Sequence, residues 1–412
     1  SNAFIFRYTV VEGNTDSSDL AVSSYTGTLT DTAGKATTNP AVSSGGLGAG
    51  RVEANVPQIR CVAATDATYK VGSNLDITVT FGETVTKTGT PTIALSNGET
   101  ATYQSGDSSN AFIFRYTVVE GNTDSSDLSV SSYSGTITDT AGNATTNPTV
   151  SSGDLGAVVV DANSPGFQSV AATDATYKIG DNIDITVTWG EAVVVTGTPT
   201  LTLSNGATAS YNSGTGSTAL VFRYTVASGH TDSSDLSVSS YSGTIQDTAG
   251  NTAEAASGDL GAVIVDANAP SFVSVAATDA TYKVGSNLDI TVTWGEAVVV
   301  SGTPTLALSN GSTASYNSGT GTTALVFRYT VVEGNTDSSD LSVSSYGGTI
   351  QDSAGNTAGA ASGDLGAVVV DANSPGFQSV AATDATYKIG DNIDITVTWG
   401  EAVNVTGTPT LA

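Results

Sequence analysis

An acid and an amide recur along this chain at one spacing: Asp161 with Asn163, Asp266 with Asn268 and Asp371 with Asn373, each inside Val-Asp-Ala-Asn. Other acids repeat in step with them. Glu191 and Glu296 stand in Trp-Gly-Glu-Ala; Asp139, Asp247 and Asp352 open Asp-x-Ala-Gly-Asn; Asp127, Asp235 and Asp340 close Asp-Ser-Ser-Asp. Asp184 and Asp289 sit early in alternating apolar runs. Carboxylates and carboxamides are hard oxygen donors, and a site offering six to eight of them suits Ca²⁺ better than Mg²⁺ or a transition metal. Asp, Asn and Gly are also the residues that turns prefer, so each acid has a purely structural reading as well.

Other chemistry finds little support. Cys61 and His230 are the sole residues of their types, and Met is absent, so soft metal ligands and most general-base chemistry are missing. Asn14, Asn122 and Asn335 occupy the position of His230 in the equivalent segments. Neither Gly-x-Ser-x-Gly nor His-Glu-x-x-His occurs, and the chain is expected to be no enzyme. With 39 Asp and Glu against 12 Lys and Arg, the formal charge is −27. Nucleic acid and an anionic membrane surface are therefore disfavoured as partners. One cysteine excludes a disulfide framework, and no apolar run approaches the roughly 20 residues of a membrane span.

The elements that must position these acids follow from internal repetition. Phe-Arg-Tyr-Thr-Val starts at Phe6, Phe114, Phe222 and Phe327, and Thr-Asp-Ala-Thr-Tyr-Lys places its acid at Asp66, Asp174, Asp279 and Asp384. Both markers give a unit of 105 to 108 residues across 412. Val-Asp-Ala-Asn-Ser-Pro and its Ala-Pro variant mark stiff links, because Pro fixes its own φ and restricts its predecessor. Whole repeats are expected at 58–165, 166–270 and 271–375, with a C-terminal half-repeat at 1–57 and an N-terminal half at 376–412. The chain then reads as a window on a longer array.

Within a repeat the period is two. Ile183, Ile185, Val187 and Trp189 alternate with Asp184, Thr186 and Thr188, as in a strand with one buried face. Similar runs and intervening Gly-, Asn- and Asp-rich turns bring the count to about seven strands. The expected fold is all-β: tandem immunoglobulin-like β-sandwiches arranged end to end. Trp189, Trp294 and Phe81 read as core, and Tyr69, Tyr177 and Tyr282 as core or corner residues.

Strand order decides which loops share a pole. The turn at Gly180-Asp181, with Asp184 beyond it, and the loop Asp232 to Asp235 are expected at the exit pole with Asp266 and Asn268. The loop around Glu296 and the turn Asp352 to Asn356 are expected at the entry pole of the next repeat. Carboxylates from two repeats facing one another repel unless a cation joins them. The first junction departs from the pattern, with Glu53 for the linker Asp, Lys35 for Asn143, and Arg51, Arg60 and Cys61 nearby, so a weaker or differently liganded site is expected there.

Together these motifs resemble the extender repeats of giant RTX-type bacterial adhesins, and the resemblance spans the whole chain. It implies calcium-bound sandwiches in a stiff monomeric rod, exported by type I secretion and holding an adhesive domain away from the bacterial cell surface. It also implies that Asp161, Asn163, Asp266, Asn268, Asp371 and Asn373 are calcium ligands. The partners implied are calcium ions and neighbouring repeats. A module that grips a glycan or protein through its loops is the alternative; it would need loop aromatics, whereas the aromatics here fall in strands at core phase.

Overall fold

The structure is a computed structural model that describes residues 2–42 and 45–412. Among the described residues no helix is long and apolar enough to cross a membrane. In the repeat 166–270 the strands are β1 (Phe167–Ala171), β2 (Ala175–Lys178), β3 (Asn182–Leu203), β4 (Thr208–Ser213), β5 (Ser217–Thr225), β6 (Ser237–Gln246), β7 (Gly258–Asp259) and β8 (Val263–Asp266).

The backbone of this unit is the 22-residue β3, which serves both layers. Its first half pairs antiparallel with β1 and β5, and β4 continues beyond β5. Its second half pairs with β6. The second layer is completed by β8, bonded to the segment before β6 through Ser233 and Leu236, and by β2, which runs parallel to β8 from Ala175 opposite Val263. The first sheet runs β4-β5-β3-β6-β7, with β1 also on β3 and β4 returning to pair with the second half of β3; with the β8-β2 pair bonded to the segment before β6, these layers form an immunoglobulin-like sandwich. The repeats at 58–165 and 271–375 show the same long central strand, Asn74–Leu95 and Asn287–Leu308, with the same partners in register. The chain is thus a tandem of all-β, immunoglobulin-like units.

Burial follows the alternation. Ile183, Ile185, Val187 and Trp189 lie in the core while Asp184 faces solvent. Equivalent cores form around Phe81 and Trp294. Tyr177 closes the corner ahead of β2 by donating its hydroxyl to the Thr173 carbonyl at 2.9 Å.

Two expectations change. Ala175–Lys178 and Gly258–Asp259 are strands of their own, while the runs at Ile183 to Trp189 and Thr200 to Leu203 are one continuous strand, giving eight strand segments; the pairing of Ala175–Lys178 with a strand nearly 90 residues away leaves no local signal. Gly295-Glu296-Ala297, read as a loop, belongs to the central strand Asn287–Leu308 at the irregularity between Thr293 and Val298, as Glu191 belongs to β3 between Thr188 and Val193. There the strand leaves one sheet for the other, and such a bulge re-aims the side chains it carries.

Outside these three units, Thr28–Thr30 pairs with Ala36–Thr38, and Phe377–Ala382 with Ile395–Trp399. Large apolar side chains in both terminal segments remain exposed.

Candidate metal centre at the repeat junctions

Each junction is built on one turn. Asp247 is buried, and its Oδ1 accepts the N–H groups of Gly250 and Asn251 at 2.6 and 2.9 Å, while its Oδ2 accepts the Asn251 side-chain amide at 2.8 Å. Gly250 is required at φ +95°, a backbone conformation that side chains rarely adopt. The turn therefore holds Asn251 rigidly, and Asn251 reaches the preceding link. Its amide nitrogen donates to Asp161 O at 3.1 Å and Asp161 Oδ1 at 3.2 Å. Its Oδ1 accepts the Val71 N–H of the repeat before, at 2.8 Å. Lys70 adds a charged hydrogen bond from Nζ to Gly250 O at 2.6 Å. The next junction repeats this set, with Asn356 bound to Asp266 and Ile179, and Lys178 to Gly355.

Carboxylates gather beside this hub. Burial raises the Glu191 carboxyl above its ordinary range, and the charges of Asp247, Asp161, Asp124 and Glu120 raise it further. Glu296 is raised by burial and then by Asp352, Asp266 and Asp232. Asp161 and Asp266 are raised in the same way, by burial first and then most strongly by Asp247 and Asp352 respectively. Glu191 with Asp247, and Glu296 with Asp352, thus face the linker acids of the repeat before, as the strand order requires.

The first junction carries the tightest group. Carboxylate oxygens of Glu53, Glu83 and Asp139 lie within 4.8 Å of one another. Burial, a hydrogen bond with Glu53 and the charges of Asp139, Glu53 and Asp16 push Glu83 up to about 7. A cleft of about 670 Å³, lined in part by Asp16, Glu53, Arg60 and Glu83, opens beside the group. Oxygens sharing one Ca²⁺ at about 2.4 Å can be at most about 4.8 Å apart, so this donor set fits the ion. The expected departure at this junction takes a different form: Glu53 supplies its carboxylate to the group. Lys35 bears on a different turn, since its N–H donates to Asp31 within 1–57, while the turn facing Glu53 is Asp139 to Asn143, whose Asn143 amide donates to Glu53 O at 3.0 Å.

Several expected ligands stand elsewhere. Asp184 and Asp289 are corrected: each lies on the solvent face of its strand, opposite an arginine, and forms a two-pronged ion pair with Arg223 or Arg328 at 2.6 to 2.7 Å. Those guanidinium hydrogen bonds hold both carboxyls below their usual range. Asp127, Asp235 and Asp340 are exposed, and each donates its backbone N–H to the hydroxyl of Ser125, Ser233 or Ser338. Asn163, Asn268 and Asn373 use their amide nitrogens as donors to Asp124, Asp232 and Asp337 at 2.8 to 2.9 Å. Asp371 is exposed; among the described residues Glu53, Glu83 and Asp139 are the one set of three acids whose oxygens come within 4.8 Å of one another, so no such group forms around Asp371, nor do Asp161, Glu191 and Asp247, or Asp266, Glu296 and Asp352, close up as tightly.

Asp124, Asp232 and Asp337 lie outside the expected ligand set, although the loop Asp232 to Asp235 is expected at this pole. Each opens Asp-Ser-Ser-Asp, and each accepts the N–H of the linker alanine (Ala162, Ala267 or Ala372) besides the asparagine amide, pinning the link at two points. Glu120 and Glu333 add a second clamp, accepting both N–H and hydroxyl of Ser164 and Ser374. A signal for that clamp exists in the sequence: where Ser228 replaces the glutamate, Ala269 replaces the serine.

No protein-family model and no curated protein matches the chain. Solved structures similar to it include one described as a Ca²⁺-stabilized adhesin that helps an Antarctic bacterium reach out and bind ice, at TM-score 0.40 and 18% identity, covering 84% of this chain and 80% of that one. The I9–I11 tandem from titin aligns at TM-score 0.30 and 7% identity, over 77% of this chain and 100% of that one. The Ig1–Ig3 ectodomain of mouse nectin-like molecule 4 aligns at TM-score 0.26 and 10% identity, over 74% and 98%.

Proposed function

We propose that this chain is an extender segment of a bacterial cell-surface adhesin, a spacer whose junctions are stiffened by calcium so that a distal adhesive domain is held away from the cell. The observation that carries the reading is the Glu53–Glu83–Asp139 group, because Glu53 comes from the link and the other two from the repeat after it. Asp161, Glu191 and Asp247, with Asp124, would hold the ion at the second junction, and Asp266, Glu296 and Asp352, with Asp232, at the third. Bound calcium supplies charge neutralisation between repeats; the hydrogen bonds of Asn251 and Asn356 set the angle at which the repeats meet. With strands rising about 3.3 Å per residue, each unit adds roughly 30 to 40 Å, so length grows with copy number. The role is mechanical and extracellular, and no catalytic step is assigned.

Small-angle X-ray scattering in millimolar calcium and in excess chelator tests it. The expected result is a long, narrow particle that becomes shorter on average and more variable in chelator. Identical profiles, with no calcium retained on dialysis, overturn the calcium reading and leave the acids to turn chemistry.

A further inference from the structure

The links at the second and third junctions share one hub and differ on either side of their prolines. Asn251 and Asn356 reach Asp161 and Asp266 alike, and Asp124 and Asp232 pin Ala162 and Ala267 alike. Ahead of Pro165, Glu120 accepts the Ser164 N–H at 2.9 Å and the Ser164 hydroxyl at 2.7 Å, which fastens the link to the repeat it leaves. Beyond Pro165, Glu254 Oε2 accepts the Phe167 N–H at 3.0 Å, which fastens the first strand to the repeat it enters. At the third junction Ser228 and Ala269 stand for Glu120 and Ser164, and Gly359 stands for Glu254. Among the described residues none of these three carboxylate hydrogen bonds has a counterpart there. Trp294 extends the contrast: its Nε1 is buried without a partner, whereas Trp189 Nε1 donates to the Glu254 carbonyl at 3.3 Å.

We propose that the third junction, between 166–270 and 271–375, is a hinge built into the array, the place where the rod bends first. The hub and the aspartate pin are common to both junctions, so they do not distinguish them. The Pro carbonyl is also held alike, accepting the Glu254 N–H from Pro165 and the Gly359 N–H from Pro270. What differs is that the second link is gripped by a carboxylate just before its proline and by another just after it. The third link passes Ala269 with neither a hydroxyl nor a facing glutamate, and the Phe272 N–H has no carboxylate to meet. Hydrogen bonds to carboxylates are among the stronger ones, so a junction that lacks three of them opens at lower cost than its neighbour. The inference rests on the spacer reading for its use, since unequal junctions let a long array yield sideways at set places while its units stay folded. Its geometry calls on no bound ion.

Double electron–electron resonance on the whole chain tests this, with Cys61→Ser removing the native thiol. Ser105→Cys with Ser213→Cys reads the second junction, and Ser213→Cys with Ser318→Cys the third, all three being exposed and equivalent in their repeats. In calcium, the distance distribution across the third junction is expected to be about twofold wider than across the second. Ser228→Glu, Ala269→Ser and Gly359→Glu together should narrow it toward the second; a Cβ at Gly359 meets nothing nearer than 3.7 Å, so that glutamate has room. The reverse set, Glu120→Ser, Ser164→Ala and Glu254→Gly, should widen the second junction, so the outcome does not hang on one variant folding. Equal widths in the parent chain, or widths indifferent to both exchanges, would overturn the hinge. Repeating the series in chelator keeps the two readings apart: widths that ignore the chelator count against calcium stiffening, while the difference between the junctions still stands or falls on the exchanges.

Discussion

Asn356 donates its side-chain amide to both the carbonyl and the Oδ1 of Asp266 at 3.1 Å, tying a turn of one repeat to the link that precedes it. The same side chain accepts the Ile179 N–H at 2.9 Å, so one buried amide touches the link and both repeats that meet there. Relative orientation is therefore set by hydrogen bonds of fixed geometry, with the carboxylate of Asp352 near enough to add to what burial does in raising Glu296 and Asp266.

Removing this amide should loosen the junction more than the sandwich. Asn356→Ala leaves Asp352 Oδ2 and the Ile179 N–H without the partner they have now, and a cost of about 2 to 3 kcal/mol is expected for the 271–375 repeat. Urea denaturation measures that loss. Scattering should show a wider spread of interdomain angles even in calcium.

Acidity at the first junction has a defined sign. Glu83 is raised from 4.5 to about 7 in the folded chain, so the fold binds its proton more tightly than the unfolded chain does. Without calcium, stability of the 58–165 repeat should be highest below pH 4.5 as far as this group is concerned, and fall as pH rises through 7. Glu83→Gln should flatten that slope, and the Glu83 carboxyl resonance should titrate near 7 in chelator. A midpoint near 4.5 would contradict the burial and crowding described for it.

Asp289 and Glu296 should part company in calcium uptake. Asp289→Asn removes an exposed ion pair worth about 0.5 to 1 kcal/mol and should leave calcium retained on equilibrium dialysis unchanged. Glu296→Gln removes a junction carboxylate and should lower it. Equal losses from both would return Asp289 to the ligand set.

Core volume is shared differently among the repeats. Phe81 meets Phe112 with ring centroids 4.8 Å apart, whereas Trp189 and Trp294 stand with the smaller Leu220 and Leu325 in the equivalent places. Trp189→Phe should cost about 1 to 3 kcal/mol, by leaving a cavity and freeing the Glu254 carbonyl that its Nε1 binds at 3.3 Å. Adding Leu220→Phe should recover a good part of the loss. A double-mutant cycle reads the coupling directly.

The sequence by itself determined the repeat, the strand faces and the poles. Ile183 to Trp189 bury alternate side chains because a strand has period two, and Asp247 to Asn251 form a turn because Gly250 and the Asp side chain permit it. Placing the turn Asp352 to Asn356 opposite Asp266 needed strand order alone.

Tertiary structure decided which acids join the junction. Within Asp-Ser-Ser-Asp the two acids are equivalent by type, yet Asp232 binds the link and Asp235 stays exposed, because the bridge from Ser233 to Val265 sets the phase of that loop. Asp289 was drawn away by Arg328, whose place opposite it depends on a register between strands some 40 residues apart. Glu191 gained its aim from the bulge in β3. Such choices rest on contacts distant in sequence, and a carboxylate goes wherever register and bulge place it, beside an arginine or beside other acids.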